Sequence, residues 1–476
     1  MLRGLSSFGL RVALPLLVAI PIAVACGEEV VIPPPSEEPD SGPGATDSGT
    51  DGTSNADGGA DVADVVCPTV TPDDSAVFVA PSGTLATTCG TKAEPCRTIT
   101  QAITRASAVA KNKIYVARGL YVERVLVKAG MRIEGGWEIL PGGAWNRACV
   151  DTAQAVVIRS PNDQTSTILA KDLGGKSELA LLRIESKPQG QVKEGESLSG
   201  IIATGATTVV ALEEVTIDIA NAGAGKEGAA GAAGAEPGAA GTCAAGTGAN
   251  GARGQAGTGA PAGTFDQDGY DPKDGALGGA STAGAGGTKG TEGTCVKCGS
   301  CTPFPTCAFV ALGPETCGTD GKNGCGGGGG PGAPGTGGGS SVGLFVWDAN
   351  VTLTGGRIKA GDGGNGGTGG SGGAAKNGSM GVAGTPTAQC IVDCAVGNNA
   401  CMEIKGRGEG GDAGGQGGQG GPGALGGGGS GGSSYAIYQG GAGLVTAATT
   451  TLSFGKAGKG ADAGPGANGV AAARFP

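Results

Sequence analysis

Four cysteines in "CVKCGSCTPFPTC", Cys295, Cys298, Cys301 and Cys307, stand close to the spacing by which thiolates hold an iron–sulfur cluster. The last gap is longer than the usual three residues and no proline follows, so a four-cysteine zinc site and a set of disulfides stay open beside the cluster. Four carboxylates in "DQDGYDPKDG", Asp266, Asp268, Asp271 and Asp274, are dense enough to ligate calcium, although the order of an EF-hand loop and its terminal Glu are missing. A solvated Asp-Gly turn is the alternative for this segment. Elsewhere Glu213, Glu214, Asp218, Arg357 and Lys359 fall in strand-like repeats without forming a recognisable catalytic motif.

The chain has 476 residues, 103 of them Gly, with 15 Cys and no His. The lack of His removes the usual general base, the commonest metal ligand and every Ser-His or Cys-His nucleophile. The net charge of −10 is unevenly placed: residues 27–66 hold ten acidic residues and no Lys or Arg. With Arg3 and Arg11 in the leader, everything from Cys67 onward sums to −2. No basic stripe with interleaved aromatics is present, so nucleic acid is not an expected partner.

The N-terminus "MLRGLSSFGLRVALPLLVAIPIAVACGEE" has a positive start and an apolar run over 12–25, too short to span a bilayer and suited to an export signal. It ends in Ala23-Val24-Ala25-Cys26, which is similar to the lipobox of bacterial lipoproteins, and the same letters fit an ordinary signal-peptidase site. The expected division is a signal peptide over 1–25, then lipidated Cys26 and an acidic disordered tether over 26–66. Export to an oxidising compartment favours disulfides for the remaining thiols, at 67, 89, 96, 149, 243, 295, 298, 301, 307, 317, 325, 390, 394 and 401. Cys89 and Cys96 form a local pair. If every thiol pairs, the odd numbers of cysteines in the two glycine-rich insertions require a bridge between them.

The body begins near Cys67. One amphipathic helix is expected from about Ile99 to Ala110, with Ile99, Ala102, Ile103 and Ala106 on one face and Thr98 and Gln101 at capping-box spacing. Short β-rich segments follow, separated by Gly or Asn turns. Self-comparison then aligns "SLSGIIATGATTVVALEEVTIDIANAGAG" from Ser197, "SSVGLFVWDANVTLTGGRIKAGDGG" from Ser340 and "SSYAIYQGGAGLVTAATTTLSFGKAGKG" from Ser433, with "STILAKDLGGKSELALLRIESKPQG" from Ser166 as a fourth copy. Such repeats are stacked units that cannot bury their apolar faces alone. The expected fold is all-β, a right-handed parallel β-helix with an N-terminal capping helix and polyproline-II-like glycine-rich insertions. A β-sandwich with disordered glycine-rich loops is the alternative. The segments are a scaffold over 67–221, an insertion over 222–339, a repeat over 340–361, a second insertion over 362–432, a last repeat over 433–455 and a glycine-rich tail over 456–476.

The glycine tracts carry a period of three. In "GDGGNGGTGGSGG", from 361 to 373, Asp362, Asn365, Thr368 and Ser371 recur every third residue between paired glycines. That is the period of a polyproline-II helix, and a flexible spacer needs no such spacing. The runs are too short and too poor in Pro for a collagen triple helix, which leaves a bundle of polyproline-II-like segments or disordered loops.

The stretch "CGTKAEPCRTITQAI" followed by "YVARGLYVE" resembles the opening of exported bacterial proteins of the pectin-lyase-like parallel β-helix superfamily, over about 77–137. The resemblance implies a helix that caps the open end of the β-helix. It does not bring the family's activity, because no motif for it is present. The expected function is that of a cell-surface-anchored structural or adhesive lipoprotein, without catalysis and without a cofactor other than the possible calcium. Its partners would be the membrane, through the lipid anchor in the cell envelope or outer membrane, and surface glycans or other cells. A polysaccharide lyase or hydrolase on the same fold is the alternative, and binding of ice or mineral by a flat polyproline-II face is a third.

Overall fold

The computed structural model describes residues 70–147, 156–296, 299–301, 309–311, 316–317, 319–386 and 409–475. The expected signal peptide, lipidated Cys26 and tether lie outside the described residues, as do Cys67, Cys149, Cys298, Cys307, Cys390, Cys394 and Cys401; of Cys301 only the backbone is described.

From Lys113 onward the chain visits three parallel sheets in rotation. The first sheet stacks Val77–Thr84, Lys113–Ala117, Arg132–Ile139, Gly175–Ala180, Thr208–Glu213, Asn350–Thr354 and Leu444–Ala448, with Trp145–Arg147 added antiparallel to Arg132–Ile139. The second stacks Gly119–Val122, Val156–Arg159, Arg183–Glu185, Thr216–Asp218, Arg357–Lys359 and Thr451–Ser453. The third stacks Val125–Leu126, Ser166–Lys171, Leu198–Thr204, Ser341–Trp347, Ser434–Gly440 and Ala471–Phe475. The architecture is all-β with parallel sheets, an arrangement compatible with a parallel β-helix. It departs from the sandwich alternative in both pairing and topology.

Registered stacking explains why the repeats align in sequence. Ile168, Ile201, Leu344 and Ile437 are successive partners in the third sheet, and Ile158, Ile184, Ile217, Ile358 and Leu452 in the second. Apart from Leu452 at the end of its row, these residues are buried. Each fully buried Ile or Leu contributes about 1.5–3 kcal/mol of apolar transfer, and one circuit alone has no partner for these faces.

Two corners between the sheets turn on left-handed residues. One is occupied by Leu181, Glu214, Gly355 and Thr449, with φ of 55°, 48°, 69° and 59°. The other is occupied by Asp172, Gly205, Asp348 and Gly441, with φ of 47°, 96°, 58° and 64°. A bend completed within two or three residues draws on this region, which costs β-branched Thr449 more than it costs Asp or Gly. Corner residues before the last circuit return part of that cost by donating their N–H to the next circuit: Leu181 to the Glu213 carbonyl, Glu214 to Thr354 and Asp348 to Gly440.

The expected helix is present as Ile99–Ala108 and packs its buried Ile99, Ala102, Ile103 and Ala106 against Val77–Thr84 and Lys113–Ala117. Thr98 caps it by accepting from the Gln101 N–H (3.1 Å), while Gln101 itself turns away and donates to the Ala86 carbonyl (2.9 Å) instead of closing a capping box. Glu123, from the next circuit, accepts the N–H groups of Ile99 and Thr100 at 2.8 and 2.9 Å, satisfying two donors that the helix leaves open. The tail, expected to be glycine-rich throughout, ends in the strand Ala471–Phe475. There Arg474 stands in register with Ile437 and donates to Gln439 Oε1 and the Val445 carbonyl, both at 2.7 Å. Among the described residues no helix is long and apolar enough to cross a membrane.

Candidate functional site

The two insertions and the tail leave the sheets at one corner. They depart after Thr216–Asp218, Arg357–Lys359 and Thr451–Ser453, all in the second sheet, and return into Ser341–Trp347, Ser434–Gly440 and Ala471–Phe475, all in the third. Outgoing and returning chains must therefore pass each other at the neck, and the repeated "SS" is what joins them. Ser341 Oγ donates to the Ala220 carbonyl and accepts from Gly361 N–H, both at 2.9 Å. Ser434 Oγ donates to the Gly361 carbonyl (2.7 Å) and accepts from Gly455 N–H (2.9 Å). Ser340 and Ser433 add hydroxyl acceptors for Ser433 N–H and Val470 N–H at 2.7 and 3.1 Å. A hydroxyl both donates and accepts, so one small side chain can bridge the two chains.

Beyond the neck the glycine tracts run side by side and exchange backbone hydrogen bonds every third residue. In "GDGGNGGTGGSGG" the carbonyls of Asn365, Thr368 and Ser371 accept from Gly225, Gly228 and Gly231 at 2.7, 2.8 and 2.7 Å. The glycines between them donate to two other tracts: Gly363 and Gly366 to Lys456 and Lys459, and Gly364, Gly367 and Gly370 to Gly339, Thr336 and Ala333. Period three thus arises because equivalent positions of successive turns face the same neighbouring tract. The most enclosed tract runs over 409–432, where Gly426 donates to Gly370, Gly427 to Ala276 and Gly428 to Gly464, and Ala424 and Leu425 accept from Gly332 and Gly257. Backbones this close exclude side chains; an added Cβ at buried Gly278 would sit 2.5 Å from the Ala424 carbonyl oxygen. Each ordered Gly costs about 0.5–1 kcal/mol relative to Ala, and net hydrogen bonds of about 1 kcal/mol offset this only when most are made, as they are here.

Disulfides staple the first insertion. Cys243 joins Cys325, and Cys295 joins Cys317 across a short antiparallel ladder; in the scaffold Cys89 joins Cys96. Cys295 is therefore committed to a disulfide and not to a cluster or zinc. The two insertions are joined by the backbone ladder described above, and no described disulfide links them. Three of the four carboxylates of "DQDGYDPKDG" are put to separate uses on a hairpin, Thr264–Asp266 paired with Gly269–Asp271. Asp266 closes its own turn on Asp268 N–H (2.9 Å), Asp271 pairs with Lys273, and Asp274 accepts from Gly337 N–H (2.9 Å). Among the described residues no three His, Cys, Asp or Glu converge on a metal position, so the expected calcium ligands do not form a set.

The same hairpin has a packing role that sequence distance concealed. It lays Phe265 over the outer face of the third sheet, stacked on Tyr438 (4.0 Å between ring centroids) and close to Phe345 and Tyr435. Tyr435 and Phe345 are thereby buried. Tyr270 donates its hydroxyl to the Gly431 carbonyl (3.1 Å), and burial pushes its pKa up.

On the outer faces of the first and second sheets acidic and basic side chains pair with one another. Arg132 meets Glu134, Glu178 and Glu213 at 2.8, 2.8 and 3.1 Å. Lys176 and Arg132 hold the Glu178 carboxyl below its ordinary value. Asp218 lies between Arg183 (3.4 Å) and Lys359 (3.6 Å), and Glu214 Oε2 accepts from Gly356 N–H (3.1 Å). Arg357 occupies the neighbouring outward row, in register with Thr216. At the base of the neck Lys187 is fully buried, with Nζ 2.7 Å from Glu196 Oε1 and 2.8 Å from the Asn162 carbonyl. Nothing in its sequence context marked that lysine as interior.

Compared with known family models, curated proteins and solved structures, the chain matches none.

Proposed function

We propose that the three sheets are the walls of a right-handed parallel β-helix of the pectin-lyase-like kind, and that this body carries the glycine-rich bundle as a rigid structural or adhesive element. In this reading the chain is a lipoprotein, tethered through Cys26 at the cell envelope, and the acidic segment over 26–66 holds the body clear of the surface. The observation that supports it is the hydrogen bonding of each glycine tract to several neighbouring tracts at once. A spacer gains nothing from such order, whereas a projecting surface must be rigid to present its side chains in fixed positions.

The test has two arms. Mass spectrometry of the mature N-terminus is expected to find an acylated Cys26. Cells displaying the full chain are expected to bind other cells or surface glycans, and cells displaying a chain without 222–339 to lose that binding. An unmodified Cys26 would remove the anchor, and unchanged adhesion would remove the role of the bundle. Release of unsaturated products from a uronic-acid polymer with calcium present would replace the reading with that of a lyase.

A further inference from the structure

A groove of ≈ 390 Å³ runs along the neck where the loop after Lys187 meets the outgoing tracts, and Gln189, Lys193, Glu194, Asn221, Asp362 and Asn365 line it. Its amides are fixed in an unusual way. Gln189 Oε1 accepts from Asn221 N–H (2.8 Å), and Asn221 Oδ1 from Asp362 N–H (2.7 Å). Asp362 Oδ1 accepts from Lys456 N–H (2.7 Å) and Asn365 Oδ1 from Lys459 N–H (2.9 Å). A backbone N–H can only donate, so each amide must turn its oxygen inward and present its –NH₂ outward. Among the described residues, no protein acceptor takes up the –NH₂ of Gln189, Asn221 or Asn365.

We propose that this groove binds a neutral, hydroxyl-rich saccharide chain, an inference that rests on the adhesive reading above and names its ligand class. Three preoriented donors and the second oxygen of Asp362 line the groove. Neighbouring strands set one spacing of about 4.8 Å and a polyproline-II turn sets the other at about 9.3 Å. Hydroxyl groups match such a mixture because each can accept from an amide and donate to a carboxylate. Lys193 and Glu194 cancel in charge and Asp362 leaves the groove slightly negative, which disfavours uronic-acid or phosphate polymers. Because the amides are already held by the fold, binding need not freeze them.

The test exploits the two ends of each amide. In the full chain, Asn221→Asp with Asn365→Asp keeps the acceptor that the ladder needs, as Asp362 already shows for a carboxylate, deletes the donors and adds two negative charges, to which a neutral saccharide is nearly indifferent. Binding is measured by ligand-observed NMR and calorimetry with neutral hexasaccharides of glucose, galactose and mannose and with a hexasaccharide of galacturonic acid. The wild-type chain is expected to bind at least one neutral hexasaccharide and not the acidic one; the double variant should bind about tenfold or more weakly with an unchanged unfolding midpoint. If the double variant fails to fold, Gln189→Glu, on the loop outside the bundle, makes the same comparison. Equal binding by wild type and variant, binding of the acidic chain alone, or no saccharide binding would each overturn the proposal. If saccharide binding fails while displayed protein still adheres to cells, the adhesive reading survives and the groove assignment does not; if both fail, both fall.

Discussion

Replacing Gly278 by Ala should unfasten the bundle locally, and its size can be worked from the contacts. The added methyl would stand 2.5 Å from the Ala424 carbonyl oxygen and 2.8 Å from that of Leu425. An ordinary C···O contact is about 3.3 Å, so the two tracts must separate by roughly 0.8 Å. Gly427 N–H to Ala276 (2.7 Å) then stretches past hydrogen-bonding range, and Ala424 N–H to Gly279, already 3.4 Å, is lost. Two bonds at about 0.5–1.5 kcal/mol each, with donors left buried, give a loss of about 2–4 kcal/mol. Gly190 is the control, since an added Cβ there meets nothing within 4 Å. Gly190→Ala should be neutral or stabilising by up to about 1 kcal/mol, because it stiffens the unfolded chain. Urea unfolding followed by far-ultraviolet circular dichroism, with amide exchange of peptides covering 275–287 and 415–428, reads both variants. A Gly278→Ala chain within about 0.5 kcal/mol of wild type, with unchanged exchange, would refute the close-packed account.

Other perturbations follow from single contacts. Lys187→Met leaves the Glu196 carboxylate without its buried partner and should cost about 3–5 kcal/mol in urea unfolding, with partial recovery when Glu196→Gln is added. Phe265→Ala uncovers the ring row of Phe345, Tyr435 and Tyr438; about 2–3 kcal/mol should be lost and tyrosine fluorescence should become more accessible to a soluble quencher. Glu178 has a carboxyl held below its ordinary value, so its stabilisation is full above the unfolded pKa of about 4.3 and is lost as pH falls through the lower folded value. Acid unfolding of Glu178→Gln should therefore be less steep below pH about 4.3, by a few tenths of a kcal/mol for so exposed a pair. Serine at both Cys243 and Cys325 removes a loop closure of 82 residues and should lower stability of the bundle by about 2–4 kcal/mol, seen as faster exchange over 244–262.

Elements with a local cause could be read from the sequence, and elements held by distant partners could not. The helix was legible because Thr98 and the spacing of Ile99, Ala102, Ile103 and Ala106 are contained within it. The circuits were legible because stacking repeats one pattern of inward aliphatics. The period of three in the glycine tracts was legible too, but it left a packed bundle and disordered loops both open, because the tracts that hold each other lie far apart in sequence. The partner of Cys295 was not legible, since Cys298, Cys301 and Cys307 are nearer in sequence than Cys317 and only the ladder chooses between them. Nor could the cover over Tyr438 be read: Phe265 lies in the first insertion, far in sequence from the last repeat, and its segment looked like a carboxylate cluster for calcium. The amide row of the neck was hidden for a related reason. Gln189, Asn221 and Asn365 resemble solvated surface residues until the register of successive circuits brings a backbone N–H to each oxygen.

Native-state amide hydrogen exchange over the glycine tracts tests the central claim most directly. Peptides covering 222–239, 361–373 and 409–432 contain N–H groups that donate across tracts at 2.7–3.0 Å, such as Gly225, Gly367 and Gly426. The account predicts protection of these peptides comparable with that of Leu198–Thr204 and Ser341–Trp347 in the third sheet. Exchange at the rate of an unstructured chain, with the sheets still protected, would contradict it.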